Sequence, residues 1–507
     1  MKARTKAYLI FFLCFCLVLP TLVSCADSKG PSTNVDRPNN DYYDDSTRAK
    51  TKGNLPDDID LDGETVYFFY FQPLELDVEG EDEETDIVYT AIYERNLKVE
   101  AWLNVDLNFE PTETTYWGDA SGEISNKIFT NDGTMDAVIA ASNTIIQNKL
   151  YFDFTDLNNT LYMELDQPWW NMNAIEEVSV DGRIFEFLCG DILLSSITNC
   201  GAIFYNKNLY ENLNPKLGAD YLYELVLDGT WTLDQFHYIC NQTYLDRDGD
   251  QERSNNDIYA YQLFRYAEPI HYFANSAGVE YYKRNKAGFP EITINQPKAA
   301  EFTEKLYKLL YENKGANLYY PNQIGAEADH PHDFADGRIL FNLTTLGAAL
   351  GEYMRAMEDD YGILPYPKWD EDQDDYITMI ANGAAFVCVP RTVVNGGYDR
   401  LDYIVSPTLE AMAIEAYRSV TETFYEFALK GAYTRDDVAA DMIDMIVANS
   451  TKNFLYEYSS SLNGIGTLFS TCMSNHSTDF SSTYAGKYTA AKTLLDELIS
   501  DYVKFFH

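Results

Sequence analysis

The stretch LDRDGDQERSNND, Leu245 to Asp257, sets oxygen-bearing side chains at regular intervals. Asp246, Asp248, Asp250, Glu252 and Asp257 fall at positions 1, 3, 5, 7 and 12 of a twelve-residue loop, the spacing by which an EF-hand converges oxygens on calcium. Two residues depart from that pattern. Position 6 is Gln251, where glycine eases the sharp turn, and position 12 is Asp257, shorter than the usual bidentate Glu. The preceding segment reads as a helix, but DIYAYQLF after it reads as a strand, so the loop is not half of a paired EF-hand. Without an ion, carboxylates this close repel one another, which favours calcium over a solvated acidic turn. The expected role is structural: the ion cross-links a loop and activates no substrate. His330 and His332 in DHPHDF lack an obvious third ligand and read as a surface loop. No GxSxG, HExxH or P-loop pattern occurs.

The elements that must position such residues alternate. ETVYFFYF (64–71) reads as a strand by its β-branched and aromatic content. A helical spacing follows through Ile87, Ala91, Ile92, Leu97 and Val99, then VDLNFEP as a strand. EISNKIFTNDG reads as a short helix and MDAVIAAS as a third strand. Strand–helix–strand–helix–strand predicts a parallel sheet covered by helices, with ligands bound beyond the carboxyl ends of its strands. Ser142 and Asn143, in the loop after the third strand, fall where such a cleft belongs. Further on, GRIFEFLCG and GAIFYNKNLYE read as strands. TWTLDQFHYICNQTYL reads as a helix with Thr232 and Gln235 at capping-box spacing.

At the amino terminus, Lys2, Arg4 and Lys6 precede the apolar run AYLIFFLCFCLVLP and then LVSC. This is an export signal, and Cys25 straight after Ser24 resembles a bacterial lipobox. Residues 1–24 are expected to be removed and the Cys25 thiol acylated, holding the chain to the outer face of a membrane. Residues 26–62 are polar, without apolar period, and read as a disordered tether. The 80 acids against 37 bases give a net charge of −43, which argues against nucleic acid or an anionic surface as a partner. Cys189, Cys200, Cys240, Cys388 and Cys472 form no CxxC. Cys189 and Cys200 could pair, or all could be buried free thiols.

Taken in order, the lipobox, ERNLKVEAWLNVDLNF, DAVIA, DQPWWN, AIFYNKNLYE, GTWTLDQF, FADGRILF and DYGILPYPKWDEDQDDY resemble the extracellular solute-binding lipoproteins of ATP-driven sugar importers, of the maltose-binding-protein type. The likeness spans nearly the whole chain after the tether. It implies an α/β, two-lobed, periplasmic-binding-protein-like (type II) fold with a hinge and an interlobe cleft. It also implies capture of a carbohydrate, delivery to the permease of an ABC transporter, no chemistry, and action as a monomer. The lobes are expected at 63–165 plus 333–395 and at 166–332 plus 396–507.

The aromatics accord with that resemblance. The chain carries 40 Tyr, 28 Phe and 6 Trp, and a sugar receptor needs flat rings against sugar faces with planar polar groups at the rim. Asp166, Trp169, Trp170 and Asn171 cluster in DQPWWN. One tryptophan is expected in the core and one in the cleft, with Trp170 favoured for the cleft. Trp117 in TTYWGDASGE is placed on a loop that reaches ligand or anchors itself. Trp231 is assigned to the core. Arg355 and Tyr366 flank a predicted crossing, Arg355 meeting either sugar hydroxyls or a surface acid. Two rival functions also accord with the sequence, a secreted glycoside hydrolase and a surface glycan adhesin.

Overall fold

The computed structural model describes residues 48–82, 86–148, 150–254, 256–263, 268–317, 330–431 and 437–506. The signal segment 1–24, Cys25 and the tether as far as Thr47 lie outside the described residues.

Alternation and helical periodicity build the first sheet. Strand β1, Glu64–Tyr70, buries Val66, Phe68, Phe69 and Tyr70. Helix α1, Ile87–Leu103, starts at Asp86, whose side chain accepts from the Val88 N–H at 3.1 Å. Its buried Val88, Ala91, Ile92, Arg95, Val99 and Leu103 recur every three or four positions and so share one face. Strand β2 (Val105–Pro111), helix α2 (Trp117–Thr130) and strand β3 (Ala137–Ala141) follow. β1 pairs in parallel with both strands, Glu64 opposite Val105 and Phe68 opposite Ala137. The helix expected from Glu123 begins at Trp117, so the stretch read as a loop is its first turns.

Strand β4 (Gly201–Asn206) is buried at every residue, as an apolar strand with two neighbours must be. After it come α3 (Leu233–Gln242) and α4 (Pro269–Ser276). Thr232 caps α3, accepting from the Gln235 N–H at 3.2 Å. GRIFEFLCG forms isolated bridges at Leu188 and Gly190, not a strand. DIYAYQLF likewise bridges at Ile258, Tyr259 and Tyr261 alone among its described residues.

The partners of β4 correct the expected lobe boundaries. Strands β5 (Phe341–Thr345) and β6 (Tyr361–Leu364) flank β4 on its two sides, both antiparallel, in a second sheet ordered β5-β4-β6. The sequence expectation puts residues 341–364 in the first lobe, within 333–395. Of that span, β7 (Ala385–Cys388) is the strand that joins the first sheet, antiparallel to β3 with Val387 opposite Ile139. Helix α5 (Ser406–Glu415), expected with the second lobe, packs against α1 of the first. Periodicity told strand from helix but could not tell which sheet would claim a strand.

Between the sheets the chain crosses. Thr378–Met379, on the way from β6 to β7, runs parallel beside Ser450–Thr451. The latter follows α6 (Asp437–Ala448), which packs against β6. Short helices α7 (Phe454–Glu457) and α8 (Leu468–Ser474) come next, then the long α9 (Phe480–Phe506). A Cβ on Gly466 would overlap the Leu455 carbonyl, so glycine is what lets α8 begin pressed against α7.

Candidate functional site

Glu268 stands just ahead of α4, with His271 and Tyr272 three and four residues on. That spacing puts all three on one helical face. The Glu268 carboxylate accepts from the Tyr272 and Tyr456 hydroxyls, each at 3.3 Å. Tyr366 lies edge-on to Tyr272 and Phe273, with ring centroids 5.3 and 4.9 Å apart, and its buried hydroxyl has no partner. Burial raises the Glu268 carboxyl, opposed by the two tyrosine hydroxyls and by Lys452. Burial also pushes the Tyr272, Tyr366 and Tyr456 phenols well up. They stay protonated and act as hydrogen-bonding groups on flat rings.

A buried ion pair locks the crossing beside this cluster. Lys452 and Glu457 are both fully buried, 3.1 Å apart. The Lys452 ammonium donates to the Ala381 carbonyl at 2.8 Å and lies over the Phe386 ring. The Ser142 hydroxyl donates to Glu457. The Ser142 and Asn143 N–H groups donate to the Ala384 and Asn382 carbonyls, each at 3.2 Å. The Asn171 amide donates to the Ser450 hydroxyl at 2.8 Å, while its oxygen caps the helix that follows. Ser142, Asn143 and Asn171 thus meet at the crossing, where they tie chain segments together.

A cavity of about 430 Å³ opens beside the cluster, its walls formed by His271 and Tyr456, three hydroxyl side chains of α8 with Thr467 ahead of it, and Asn475. His271 stacks near Tyr456 at 4.6 Å between centroids, and its Nε2 meets the Ser470 hydroxyl at 2.8 Å. Burial pushes the imidazole down to about 3, so the ring is neutral at physiological pH.

The other candidates from the sequence sit elsewhere. Trp169 and Trp170 are both buried, which corrects the expectation of one in and one out. Each donates its indole N–H to a different oxygen of Glu410, both at 2.9 Å. A buried indole needs an acceptor, and this one carboxylate on α5 serves two. Trp117 is half-buried in the first turn of α2 against Tyr116. Arg355 reaches Asp86, the largely buried cap of α1, at 3.6 Å, so it pairs with an acid and lies away from the crossing. Trp231 is fully buried and donates to the Pro365 carbonyl at 2.9 Å. The five cysteines from Cys189 to Cys472 are free and buried.

The acidic loop fits a cation in part. Carboxylate oxygens of Asp246, Asp248 and Asp250 lie within 4.8 Å of one another. Gln251 adopts the left-handed conformation, φ 64°, in the place where an EF-hand favours glycine. Asp246 holds the turn by accepting from the Gly249 and Gln251 N–H groups at 2.7 and 2.9 Å. Asp257 and Glu252 do not join them. Asp257 turns inward, fully buried, accepting from the Tyr244 hydroxyl and the Arg247 and Ser254 N–H groups at 3.1, 3.2 and 2.9 Å. Those donors, brought close by the bridge between Leu245 and Ile258, satisfy it without an ion. His332 is exposed, and the His330 side chain lies outside the described residues.

Sequence reasoning missed Glu268, His271, Tyr272, Lys452, Tyr456 and Glu457. The Glu–His–Tyr spacing of AEPIHYF was the one available signal, and it is short and common.

No family model matches this chain, and no curated protein does. Solved structures do. An ABC substrate-binding protein of Listeria monocytogenes, Lmo0181, in complex with cycloalternan, superposes with a TM-score of 0.51 at 12% identity, covering 86% of this chain and 99% of that one. A cyclo/maltodextrin-binding protein complexed with maltotetraose gives a TM-score of 0.52 at 11% identity, covering 89% and 99%. The chain therefore has the α/β, two-lobed fold of the periplasmic binding proteins, type II.

Proposed function

We propose that this protein is the carbohydrate-capturing component of an ABC importer, binding a sugar and releasing it unchanged. The observation that carries the reading is the Glu268 cluster. Three tyrosines surround one carboxylate, one hydroxyl among them is buried and unpaired, and one of the three, Tyr456, lines a cavity of about 430 Å³. Rings for sugar faces and acceptors for sugar hydroxyls are what a saccharide site requires. The fold neighbours, solved with cycloalternan and maltotetraose, support the same ligand class. A hydrolase would need two carboxylates free to act, whereas Glu457 is committed to Lys452 and Ser142. The test is a thermal-shift screen of mono- and oligosaccharides with chromatography of the mixtures. A melting rise with intact sugar supports the reading. Product formation, or no response to any saccharide, ends it.

Acylation at Cys25 would anchor the protein to the outer face of the cell membrane, the tether lifting it toward a permease. The protein would act as a monomer. Asp246, Asp248 and Asp250 would hold a structural calcium ion, supported by the convergence of their oxygens.

A further inference from the structure

Residues 48–62, read from the sequence as the end of a tether, are held against the body as a strap. Arg418 grips the Thr51 carbonyl with two donors, Nε at 2.9 Å and Nη2 at 2.6 Å. The Asn54 amide donates to the Tyr162 carbonyl at 3.3 Å, and the Leu61 N–H donates to the Leu103 carbonyl at 2.8 Å. Leu55 and Leu61 are buried. A segment this polar buries too little apolar surface to order itself, so these contacts with the body are what fix it. At its start the strap inserts Arg48. The guanidinium pairs with Asp191 at 3.5 Å, the two side chains being 19% and 13% exposed. It lies over the Tyr417 and Tyr425 rings, 4.4 and 5.4 Å from their centroids, and feels Asp444 electrostatically. A planar guanidinium suits such a place because it stacks on rings and pairs with carboxylates at once.

The four residues around Arg48 belong to different parts of the fold. Asp191 is tied by its N–H to the Trp169 carbonyl at 2.9 Å, and the next residue, Ile192, accepts from Arg95 of α1 at 2.8 Å. Tyr417 stands in the turn Ala416–Val420 after α5, which also packs on α1. Both are neighbours of the first sheet. Asp444 stands on α6, which packs on β6 of the second sheet. Tyr425 stands on the helix Thr421–Gly431, which touches α1 on one side and the turn Leu346–Leu350 after β5 on the other. Arg48 therefore fills a seam where elements packed on the two sheets meet. A hinged two-lobed fold changes width by moving one set of these elements against the other. A guanidinium wedged in the seam resists that movement, because leaving it strands the buried Asp191 carboxylate without its cation.

We propose that Arg48 is an interlobe pin: a side chain of the amino-terminal strap that holds the two lobes in one arrangement and must be withdrawn, or carried along, for them to part. The pin acts on the hinge whatever the ligand, so its test stands apart from the carbohydrate reading.

The experiment measures an interlobe distance without ligand, by pulsed dipolar spin resonance on the mature chain carrying Cys25→Ser. Nitroxide labels go on Phe129→Cys, at an exposed site of α2 beside the first sheet, and on Leu227→Cys, at an exposed site of the helix Tyr221–Leu227 that packs on β6. The cysteines from Cys189 to Cys472 are buried and do not compete for label. The buffer is held at about pH 7.5, where Asp191, lifted by burial to about 6, is ionised. The pinned chain gives one narrow distance. Arg48→Ala broadens or shifts it by about 5 Å or more, and Arg48→Lys, which keeps the charge but loses the flat stacking surface, gives part of that change. Asp191→Asn removes the ion pair from the other side at nearly constant volume and gives the same broadening, which carries the test if Arg48→Ala fails to fold. A distance as narrow as that of the wild type, and at the same value, in either variant overturns the pin. A broad or two-peaked distance in the wild type itself overturns it as well.

Discussion

Two carboxylates in this molecule are ringed by aromatic side chains, and they behave differently. Glu410, on α5, accepts one indole N–H on each oxygen at 2.9 Å, and both donors are buried. Its hydrogen-bonding positions are filled by rings that have nowhere else to go. Glu268, ahead of α4, is held by two tyrosine hydroxyls at 3.3 Å, long for an O–H donor, with Tyr366 unpaired nearby and a cavity alongside. The first arrangement is complete, the second unfinished. A completed polar network stabilises a fold. An unfinished one next to open volume is where a ligand gains by supplying the missing groups. Aromatic and acidic composition alone therefore does not separate the two; the state of their hydrogen bonds does.

The sharpest way to break this contrast is to remove each acid. Glu410→Ala strands two buried indole N–H groups and leaves a void, so unfolding free energy should fall by about 3 to 5 kcal/mol. Denaturant titration measures it, and a loss under about 1 kcal/mol would mean the clamp stabilises nothing. Glu268→Gln should do the reverse. Stability should move by less than about 1 kcal/mol, because the amide oxygen can still accept from one tyrosine, while affinity for the sugar drops about tenfold. If Glu268→Gln unfolds the protein as readily as Glu410→Ala and spares binding, the two regions are equivalent and the site lies elsewhere.

pH sharpens the same comparison. Burial lifts Glu410 from its ordinary 4.5 to about 7 against the pull of both indoles. Burial likewise lifts Asp191 to about 6 and Asp444 to about 8. A raised carboxyl means that the folded state holds its proton more tightly than the unfolded chain does. The stability these groups give is complete below about pH 4 and is lost as pH climbs through 6 to 8. The melting temperature should therefore be higher at pH 5.5 than at pH 8.5. Glu410→Gln should flatten the part of that slope between pH 4.5 and 7, and an unchanged slope would show that Glu410 is not its source.

Much of the first sheet was legible because its strands alternate or run apolar and its helix repeats every three to four residues. Val88, Ala91, Ile92 and Val99 announce a buried face whatever lies beyond it. The Thr232 cap was legible for the same local reason. Sheet membership was not. The β5 and β6 partners of β4 lie more than a hundred residues away, and no local pattern says which edge they take. The site was hidden for a related reason. Ser142 and Asn143 follow from strand order, but Glu268 comes from one segment and Lys452 and Tyr456 from another nearly two hundred residues on, and the two meet only at the crossing. The two tryptophans misled because their partner, Glu410, stands some 240 residues on.

The acidic loop offers the smallest effect and a third kind of carboxylate cluster, neither saturated by donors nor beside a cavity. Asp246, Asp248 and Asp250 are largely exposed, so water already screens their repulsion and an ion gains less there than in a buried site. Asp257, the ligand that would close an EF-hand, is occupied by three donors of its own loop. Calcium held by the remaining three should bind weakly, and chelator should lower the melting temperature by only a degree or two, restored by millimolar calcium but not by potassium. Asp248→Asn should abolish the calcium response while leaving sugar binding intact, since this loop shares no residue with the cluster around Glu268. A melting curve indifferent to chelator would assign the loop to solvent. A large drop, comparable with that of Glu410→Ala, would mean that Asp257 swings out to complete the shell and that this exposed turn contributes as much to the fold as the buried clamp does.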